Sequence, residues 1–228
     1  MGFEKLSDIQ AQGILPMLEG KDLIVQSRAG SGKTIAFIIS LLQLIDDNAS
    51  QCQVLILEPN RELARHIQQL IIDLGKYIKP KVHTCIGGIN LKEEIEKLQE
   101  GAKIIVGTPG RVHEMLKRGH IKTTYFKLLV MDEADDLFAV GFEEQIREIL
   151  KITPEDVQIT VFSPTIPLEV LRLTRDFMKD PVTILVRHEQ FLIQNTKQFY
   201  IPLDKAESKV DALIDLFEHI GKFEKRNT

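Results

Sequence analysis

Apolar runs of four or five residues alternate with longer amphipathic segments along most of the chain. The short runs are rich in Val, Ile and Leu, as is typical of buried strands, and the longer segments repeat apolar residues at helical spacing. Strands are predicted at 22–26, 53–57, 82–85, 103–106, 127–131, 158–162 and 182–186. Helices are predicted near 8–18, 33–46, 61–75, 91–99, 110–118, 142–151 and 167–178. The alternation predicts an α/β fold, with a mainly parallel sheet and helices on both faces.

The pattern changes after residue 186. Residues 1–188 are predicted to form one domain, and the polar stretch 189–196 is predicted to be a linker. Residues 197–228 offer one more strand in "KQFYIPLD" and one more amphipathic helix in "AESKVDALIDLFEHI". Because one strand and one helix cannot bury a core of their own, this segment is predicted to be the first part of an incomplete second domain.

Composition narrows the range of partners. The formal net charge is −4, so a nucleic-acid site would have to be a local basic patch. Cys52 and Cys85 have neither metal-type spacing nor the pattern of a disulfide framework. The opening "MGFEKLSDIQ" does not resemble a secretory leader, and the longest apolar run is too short for a bilayer. The expectation is an intracellular protein, cytoplasmic or nuclear, without membrane contact.

The segment "QSRAGSGKT" at 26–34 lies between a predicted strand and a predicted helix. Its glycines let successive N–H groups face one point at the helix N-terminus, which forms an anion site. Lys33 would reach the β- and γ-phosphates of a nucleotide, and the Thr34 hydroxyl would bind Mg²⁺. Ser27 stands where the pattern G-x-x-x-x-G-K-[ST] has its first glycine, so a glycine-rich helix start with a solvated lysine is the alternative. The predicted phosphate-binding residues are Ser27, Arg28, Ala29, Gly30, Ser31, Gly32, Lys33 and Thr34.

A run of acidic residues, "DEAD" at 132–135, follows the predicted strand 127–131. Taken alone, these residues have a second interpretation, because carboxylates before a helix complement its dipole. Together with the phosphate loop, a carboxylate at the end of a buried strand fits a Mg²⁺-nucleotide site. The adjacent Glu133 could orient or deprotonate an attacking water.

Seven short segments occur in a fixed order: "GFEKLSDIQ", "SRAGSGKT", "PNRELA", "GG", "TPGR", "DEAD" and "SPT". In this order they resemble the first RecA-like domain of DEAD-box ATP-dependent RNA helicases, and within that family the translation initiation factor 4A subfamily. The resemblance covers essentially the whole chain. It implies a RecA-like P-loop NTPase fold and ATP with Mg²⁺ as cofactors. It also implies single-stranded or duplex RNA and helicase-activating proteins as partners.

The resemblance also implies roles for single residues in the nucleotide site. Gln10 would read the adenine edge, since an amide offers both a donor and an acceptor. Lys33, Asp132 and Glu133 form the implied catalytic set, in which Asp132 holds the ion through water and Glu133 is the general base. Asp135 would bond to Ser163 and Thr165, and so link the nucleotide site to domain movement.

Three further segments would line an RNA track. Contacts to phosphate and sugar carry no sequence information, so binding would be indifferent to base sequence. As an alternative, "CIGG" and "TPGR" are ordinary turns, the latter with a proline at a helix start. The implied RNA-binding residues are Pro59, Asn60, Arg61, Glu62, Gly87, Gly88, Thr108, Pro109, Gly110 and Arg111.

Several features depart from the family pattern. Leu6, Asn60 and Pro164 replace its proline, threonine and alanine, and Pro164 lacks an N–H and pushes Ser163 toward extended geometry. Neither the upstream aromatic that sandwiches adenine nor the arginine-rich motif of a second domain occurs in the sequence. The chain is therefore expected to bind ATP with little turnover. The alternatives are another P-loop NTPase, such as a DNA translocase, and a non-catalytic module that binds RNA or protein.

Overall fold

The chain divides into two compact units, residues 1–191 and 192–228. The computed structural model describes residues 5–28, 30–46, 48–49, 51–185, 199–203, 205 and 207–224, with backbone alone from 218 onward. The domain and linker limits predicted at 188 and 196 fall outside the described residues, so they stay predictions.

The first unit is built on a seven-stranded sheet in the order β3-β4-β2-β5-β6-β1-β7. Every neighbouring pair of strands in this sheet is parallel. The strands are β1 (Leu23–Gln26), β2 (Val54–Leu57), β3 (Val82–Cys85), β4 (Ile104–Gly107), β5 (Leu128–Met131), β6 (Gln158–Ser163) and β7 (Val182–Leu185). The predicted α/β class with a parallel sheet is confirmed.

Helices connect the strands. Those of the first unit are α1 (Asp8–Leu18), α2 (Lys33–Leu44), α3 (Arg61–Leu74), α4 (Leu91–Gln99), α5 (Pro109–Lys117), α6 (Ala134–Ala139), α7 (Glu143–Ile152) and α8 (Leu168–Phe177). Each predicted helix is present, with ends within two residues of the predicted limits. The short α6, which directly follows the acidic run, has no separate counterpart among the predicted helices.

The core lies on both faces of the sheet. Val54 and Ile56 of β2 pack toward α1, α2 and α3, whereas Leu55 and Leu57 pack with α5, α6, α7 and α8 on the opposite face. Burial on both faces explains why the strands are continuously apolar. The loops at the carboxyl ends of the strands are left to bind ligands, as in other open α/β sheets.

The second unit contains one helix among its described residues, α9 (Ser208–Glu224). The helix predicted in "AESKVDALIDLFEHI" is therefore present. The strand predicted in "KQFYIPLD" is wrong for residues 199–203, which have no regular secondary structure. A strand requires a hydrogen-bonded neighbour, which a local sequence pattern does not supply.

Candidate nucleotide and RNA-binding sites

The predicted phosphate loop connects β1 to α2. The Lys33 ammonium donates to the Ser27 carbonyl at 2.8 Å and lies 3.7 Å from Oε1 of Glu133. Its side chain is only 4% exposed, which excludes the alternative of a solvated lysine. The hydroxyls of Ser27 and Ser31 are 2.8 Å apart, so the loop is closed by its own side chains. Ala29, the remaining residue of the predicted loop, lies outside the described part of the chain.

Gln10 packs directly on this loop. Its Nε2 donates to the Gly32 carbonyl at 3.4 Å, and its Oε1 accepts from the backbone N–H of Ser7 at 2.9 Å. Gly32 has a φ of 94°, and a Cβ at this position would lie 2.6 Å from Gln10 Nε2. Both the left-handed conformation and the close approach require glycine. Gln10 of α1 thus contacts Gly32, the residue before α2, and its contact with adenine stays a prediction.

Asp132 and Glu133 follow β5 at the carboxyl edge of the sheet. Asp132 is 3% exposed, and its Oδ1 accepts from the Glu133 N–H at 3.0 Å. Glu133 has a φ of 46° and a ψ of 53°, which is the left-handed region. Non-glycine residues are rare there, and such strain is commonly found at functional sites. The turn holds the two carboxylates and the Lys33 ammonium together.

Negative charge is only partly balanced at this point. Burial and the neighbouring Glu133 charge raise the pKa of Asp132 to about 7, although the Glu133 N–H and Lys33 act in the opposite direction. Burial also raises the pKa of Glu133, and Lys33 again opposes the shift. One ammonium therefore faces two carboxylates, a balance that favours a further cation.

The acidic run also contacts the loop after β6. The Asp135 N–H donates to Ser163 Oγ at 3.1 Å, and the Thr165 hydroxyl donates to Asp135 Oδ2 at 2.5 Å. The structure thus brings together the three residues predicted to couple the nucleotide site to movement. Their coupling role stays a prediction.

The predicted RNA-binding residues lie at the carboxyl ends of β2, β3 and β4, which are neighbours in the sheet. All of them except Gly88 and Pro109 line one cleft. The cleft is lined by Pro59, Asn60, Arg61, Glu62, Gly87, Thr108, Gly110, Arg111, Glu114 and Phe142. Glu114 and Phe142 were not predicted, because nothing in their local sequence places them beside the loops after β2 and β4.

Arg61 is the exposed cation of this cleft. A Cβ on Gly88, whose φ is 88°, would lie 2.6 Å from Nη1 of Arg61. The glycine pair thus gives the guanidinium a flat backbone surface to lie on. Asn60 caps α3 by accepting from the Leu63 N–H at 2.9 Å, which fixes the start of the helix beside Arg61.

Arg111 is held differently. It is 13% exposed, and its guanidinium lies 3.5 Å from Glu94 Oε2 and 3.3 Å from Glu114 Oε2. Glu94 is fully buried and is also bonded to His83 Nε2 at 2.7 Å. Arg111 therefore balances a buried charge in addition to facing the cleft, a structural role that its position in "TPGR" did not predict.

Comparison with known proteins decides the family. A model of the DEAD/DEAH box helicase family matches residues 7–173. The chain belongs to the DEAD/DEAH box helicase family. It is 45% identical over 219 residues to the ATP-dependent RNA helicase eIF4A of Pyricularia oryzae, covering 96% of this chain and 55% of that protein. It is 46% identical over 217 residues to eukaryotic initiation factor 4A of Cryptosporidium parvum, covering 95% of this chain and 54% of that protein.

Solved structures agree with this assignment. A DEAD box protein from Methanococcus jannaschii superposes with a TM-score of 0.80 at 33% identity, over 94% of this chain and 58% of that one. A Saccharomyces cerevisiae Dbp5 variant bound to Nup159, Gle1, IP6 and ADP gives 0.74 at 29% identity, over 82% of this chain and 50% of that one. The RecA-like fold is thus confirmed. The chain spans about half the length of the curated relatives it matches.

Neither a metal-binding cluster nor a membrane-spanning helix is found among the described residues. No three acidic, histidine or cysteine side chains among them lie close enough to enclose a metal ion. No helix in the part of the chain that the structure describes is long and apolar enough to cross a membrane.

One buried acidic residue at a strand end was not predicted from the sequence. Glu58 follows β2 as Asp132 follows β5, is 1% exposed, and has no hydrogen-bond partner for either carboxylate oxygen among the described residues. The signal was present in "VLILEPN", where a carboxylate ends a buried strand, the same signal that marked Asp132.

Pro164, which departs from the family pattern, follows β6 beside the phosphate loop. Its carbonyl accepts from Gln26 Nε2 at 3.2 Å, and the neighbouring Ser163 carbonyl accepts from the Ser27 N–H at 3.2 Å. Both bonds are accepted by backbone carbonyl groups, and these remain when Pro164 is replaced by alanine. We expect Pro164→Ala to lower the free energy of unfolding by about 1 kcal/mol or less, mainly because alanine gives the unfolded chain more conformational entropy than proline does. Thermal unfolding checks this, and a much larger loss would show that the proline itself maintains the fold.

Proposed function

We propose that this chain is the ATP- and RNA-binding part of an ATP-dependent RNA helicase. The observation that carries the proposal is the placement of the Lys33 ammonium, 2.8 Å from the Ser27 carbonyl and 3.7 Å from the Glu133 carboxylate. A phosphate-loop lysine beside the carboxylates at the end of a second strand of the same sheet is the arrangement that nucleotide hydrolysis requires.

The residues of the site suit a nucleotide with a divalent ion. ATP phosphates would take the place of the Ser27 carbonyl as partner of the Lys33 ammonium. Thr34 would bind Mg²⁺ and Asp132 would hold it through water, since the surplus of carboxylates over ammonium groups fits a cation. The ion would neutralise charge that develops on the phosphates.

Glu133 is the residue placed to act on water. It is half-buried, and its raised pKa, caused first by burial, makes its carboxylate a better proton acceptor than a solvated one. Its left-handed backbone fixes the side chain next to Lys33. We assign it the role of orienting the attacking water and accepting its proton.

The bonded trio of Asp135, Ser163 and Thr165 supports a coupling role. These bonds tie the turn that carries Glu133 to the loop after β6, which in turn contacts the phosphate loop through Ser27. A change in the position of the phosphate loop would therefore be transmitted to the loop after β6. That loop would couple the nucleotide site to movement of a second domain.

The cleft at the ends of β2, β3 and β4 is the proposed RNA track. It offers Arg61, a helix start capped by Asn60, and backbone groups of two glycine-containing loops, which suit phosphate and sugar better than base edges. Single-stranded RNA is the proposed ligand, with duplex RNA as the substrate of the whole helicase. Because the Dbp5 variant similar to this chain is bound to Nup159 and Gle1, helicase-activating proteins are proposed as partners.

ATP titration tests the proposal. Isothermal titration calorimetry of the 228-residue chain with ATP and excess MgCl₂ should show one binding site, and ADP should compete for it. A chain that binds neither nucleotide would overturn the proposal. A chain that binds RNA but no nucleotide would favour the alternative of a non-catalytic RNA-binding module.

Arg61→Ala should weaken RNA binding without unfolding the protein. Losing one phosphate contact should lower the affinity for all single-stranded RNAs alike and reduce the slope of log K against log salt by about 0.7. Arg111→Ala should also weaken binding, but it should lower the melting temperature as well, because the buried Glu94 loses a charged partner. Fluorescence anisotropy and thermal unfolding of both variants separate the two effects. A strong preference for one base sequence, or tighter binding of DNA than of RNA, would contradict the proposed track.

A further inference from the structure

Glu58 lies in register with Asp132 on the neighbouring strand end. Leu57 pairs with Met131 at the ends of β2 and β5, and the Asp132 N–H donates to the Leu57 carbonyl at 3.2 Å. The residue that follows β2 is Glu58, and the residue that follows β5 is Asp132. Adjacent strands lie about 5 Å apart, so the two residues are neighbours.

Both side chains point to the same face of the sheet. Side chains alternate along a strand, and Val54, Ile56, Leu128 and Val130 pack in the same core cluster as Phe37 of α2. Continuing the alternation places Glu58 and Asp132 on this face. The phosphate-loop lysine is the first residue of α2. Glu58 is thus aimed into the nucleotide site, at its side nearest the RNA cleft.

Nothing in the described chain satisfies this carboxyl group. Neither oxygen has a hydrogen-bond partner, and the residue is 1% exposed. In either protonation state at least one oxygen of a buried carboxyl group needs a partner, because unpaired buried polar atoms are costly. Burial and the charges of Asp132 and Glu133 together raise the pKa of Glu58 well above its ordinary value, which reflects the closeness of the three carboxyl groups.

The three carboxyl groups do not by themselves enclose an ion, since no such cluster occurs among the described residues. An ion bound to nucleotide phosphates, however, brings its own water molecules, and each is an O–H donor. Two buried oxygens without donors fit such water molecules. ATP without the ion would bind less well, because its negative charge would meet these three carboxyl groups, which Lys33 offsets only in part among the described residues.

We propose that Glu58 is a further acidic residue of the Mg²⁺-nucleotide site, which accepts hydrogen bonds from water bound to the ion. This inference rests on the proposed ATP-Mg²⁺ function and adds a residue to it. Glu58 acts through metal-bound water and is thus a positioning residue for the ion. Its main effect should be to make nucleotide binding more dependent on Mg²⁺.

The test compares nucleotide affinity with and without the ion. A fluorescent ATP analogue is titrated into the 228-residue chain in excess MgCl₂ and again in EDTA, and the ratio of the two dissociation constants measures the contribution of Mg²⁺. Glu58→Gln keeps the size of the side chain and removes its charge. We expect the ratio to fall about threefold to tenfold, the loss expected for the net contribution of one hydrogen bond.

Nucleotide binding should respond differently in the two buffers. In MgCl₂ the Glu58→Gln protein should bind the analogue more weakly, because water bound to the ion loses a hydrogen-bond acceptor. In EDTA it should bind equally or more tightly, because this water is absent and Glu58→Gln adds no negative charge near the phosphates. Glu58→Ala should show at least the same fall in the ratio. Glu169→Gln makes the same chemical change at an exposed position of α8 and should leave the ratio unchanged.

The possible outcomes distinguish the role of Glu58 from ATP binding by the chain. An unchanged ratio in both Glu58 variants, or equal losses in MgCl₂ and EDTA, would overturn the role of Glu58 and leave ATP binding intact. Failure of the unaltered chain to bind the analogue in either buffer would instead overturn the proposed function. A smaller Mg²⁺-induced rise in melting temperature for Glu58→Gln, measured with ATP present, would support the inference without any hydrolysis assay.

Discussion

Joined to a complete second RecA-like domain of the initiation factor 4A type in place of residues 197–228, the first unit should hydrolyse ATP about 10³ to 10⁵ times faster than the 228-residue chain. The reason is the charge that develops on the transferred phosphoryl group, which in this chemistry is stabilised by an arginine from a second domain. Beyond the predicted linker the sequence contains a single arginine, Arg226. The 228-residue chain alone should bind ATP, hydrolyse it at close to background, and leave duplexes unopened.

Phosphate release with and without RNA measures this difference. Stimulation by RNA in the joined protein should disappear in Glu133→Gln, which removes the proposed proton acceptor and retains the shape of the side chain. Fast, RNA-stimulated hydrolysis by the 228-residue chain that is lost in Glu133→Gln would contradict the two-domain account. It would then point to an arginine supplied by a second copy of the chain.

Lys33→Ala should lower the affinity for ATP about tenfold or more. The substitution removes hydrogen bonds from a charged donor, each worth about 1.5 to 3 kcal/mol, and 1.4 kcal/mol corresponds to a factor of ten in affinity. The loss of affinity should exceed that from removing one charge at the protein surface. The Lys33 ammonium is 4% exposed, and water screens a buried charge less than an exposed one. Calorimetric titration with ATP and MgCl₂ gives the two dissociation constants.

A matched lysine and a stability measurement complete this test. Lys92→Ala removes the same charge at an exposed position of α4 and should leave ATP affinity unchanged. The melting temperature of Lys33→Ala without nucleotide shows whether the fold persists, since Glu133 loses its nearby cation. Equal ATP affinity in the unaltered and Lys33→Ala proteins would remove the basis for the nucleotide site.

The strands and most helices could be predicted because each depends on a local pattern. A strand buried on both faces, such as Val54–Leu57, must be apolar at every position, and a helix such as Arg61–Leu74 must repeat apolar residues at 3.6-residue spacing. The motifs could be placed at one edge of the sheet because each follows a predicted strand, and the carboxyl ends of parallel strands lie at the same edge. The stretch 199–203 was mispredicted because its apolar residues match a strand pattern, whereas pairing depends on a neighbour that a local pattern does not reveal.

The charge balance of the sites could not be predicted, because it depends on strand order. Glu58 and Asp132 are far apart in sequence and become neighbours because β2 lies beside β5 in the sheet. Arg111 was predicted as an RNA contact from its motif, but its buried partner Glu94 comes from α4. Sequence spacing gives no indication of either pairing. Only the arrangement of the strands and helices reveals which charges each of these residues must balance.

The left-handed backbone of Glu133 means that activity and thermostability should favour different residues at this position. Holding a residue other than glycine in this conformation costs about 1 kcal/mol or more, which the rest of the fold must offset. Glycine would adopt the same turn without that cost but would remove the carboxylate beside Lys33. Selection for heat resistance alone should therefore favour substitutions at Glu133 that remove the proposed proton acceptor, so a screen for stable variants of this domain should include an assay of ATP hydrolysis.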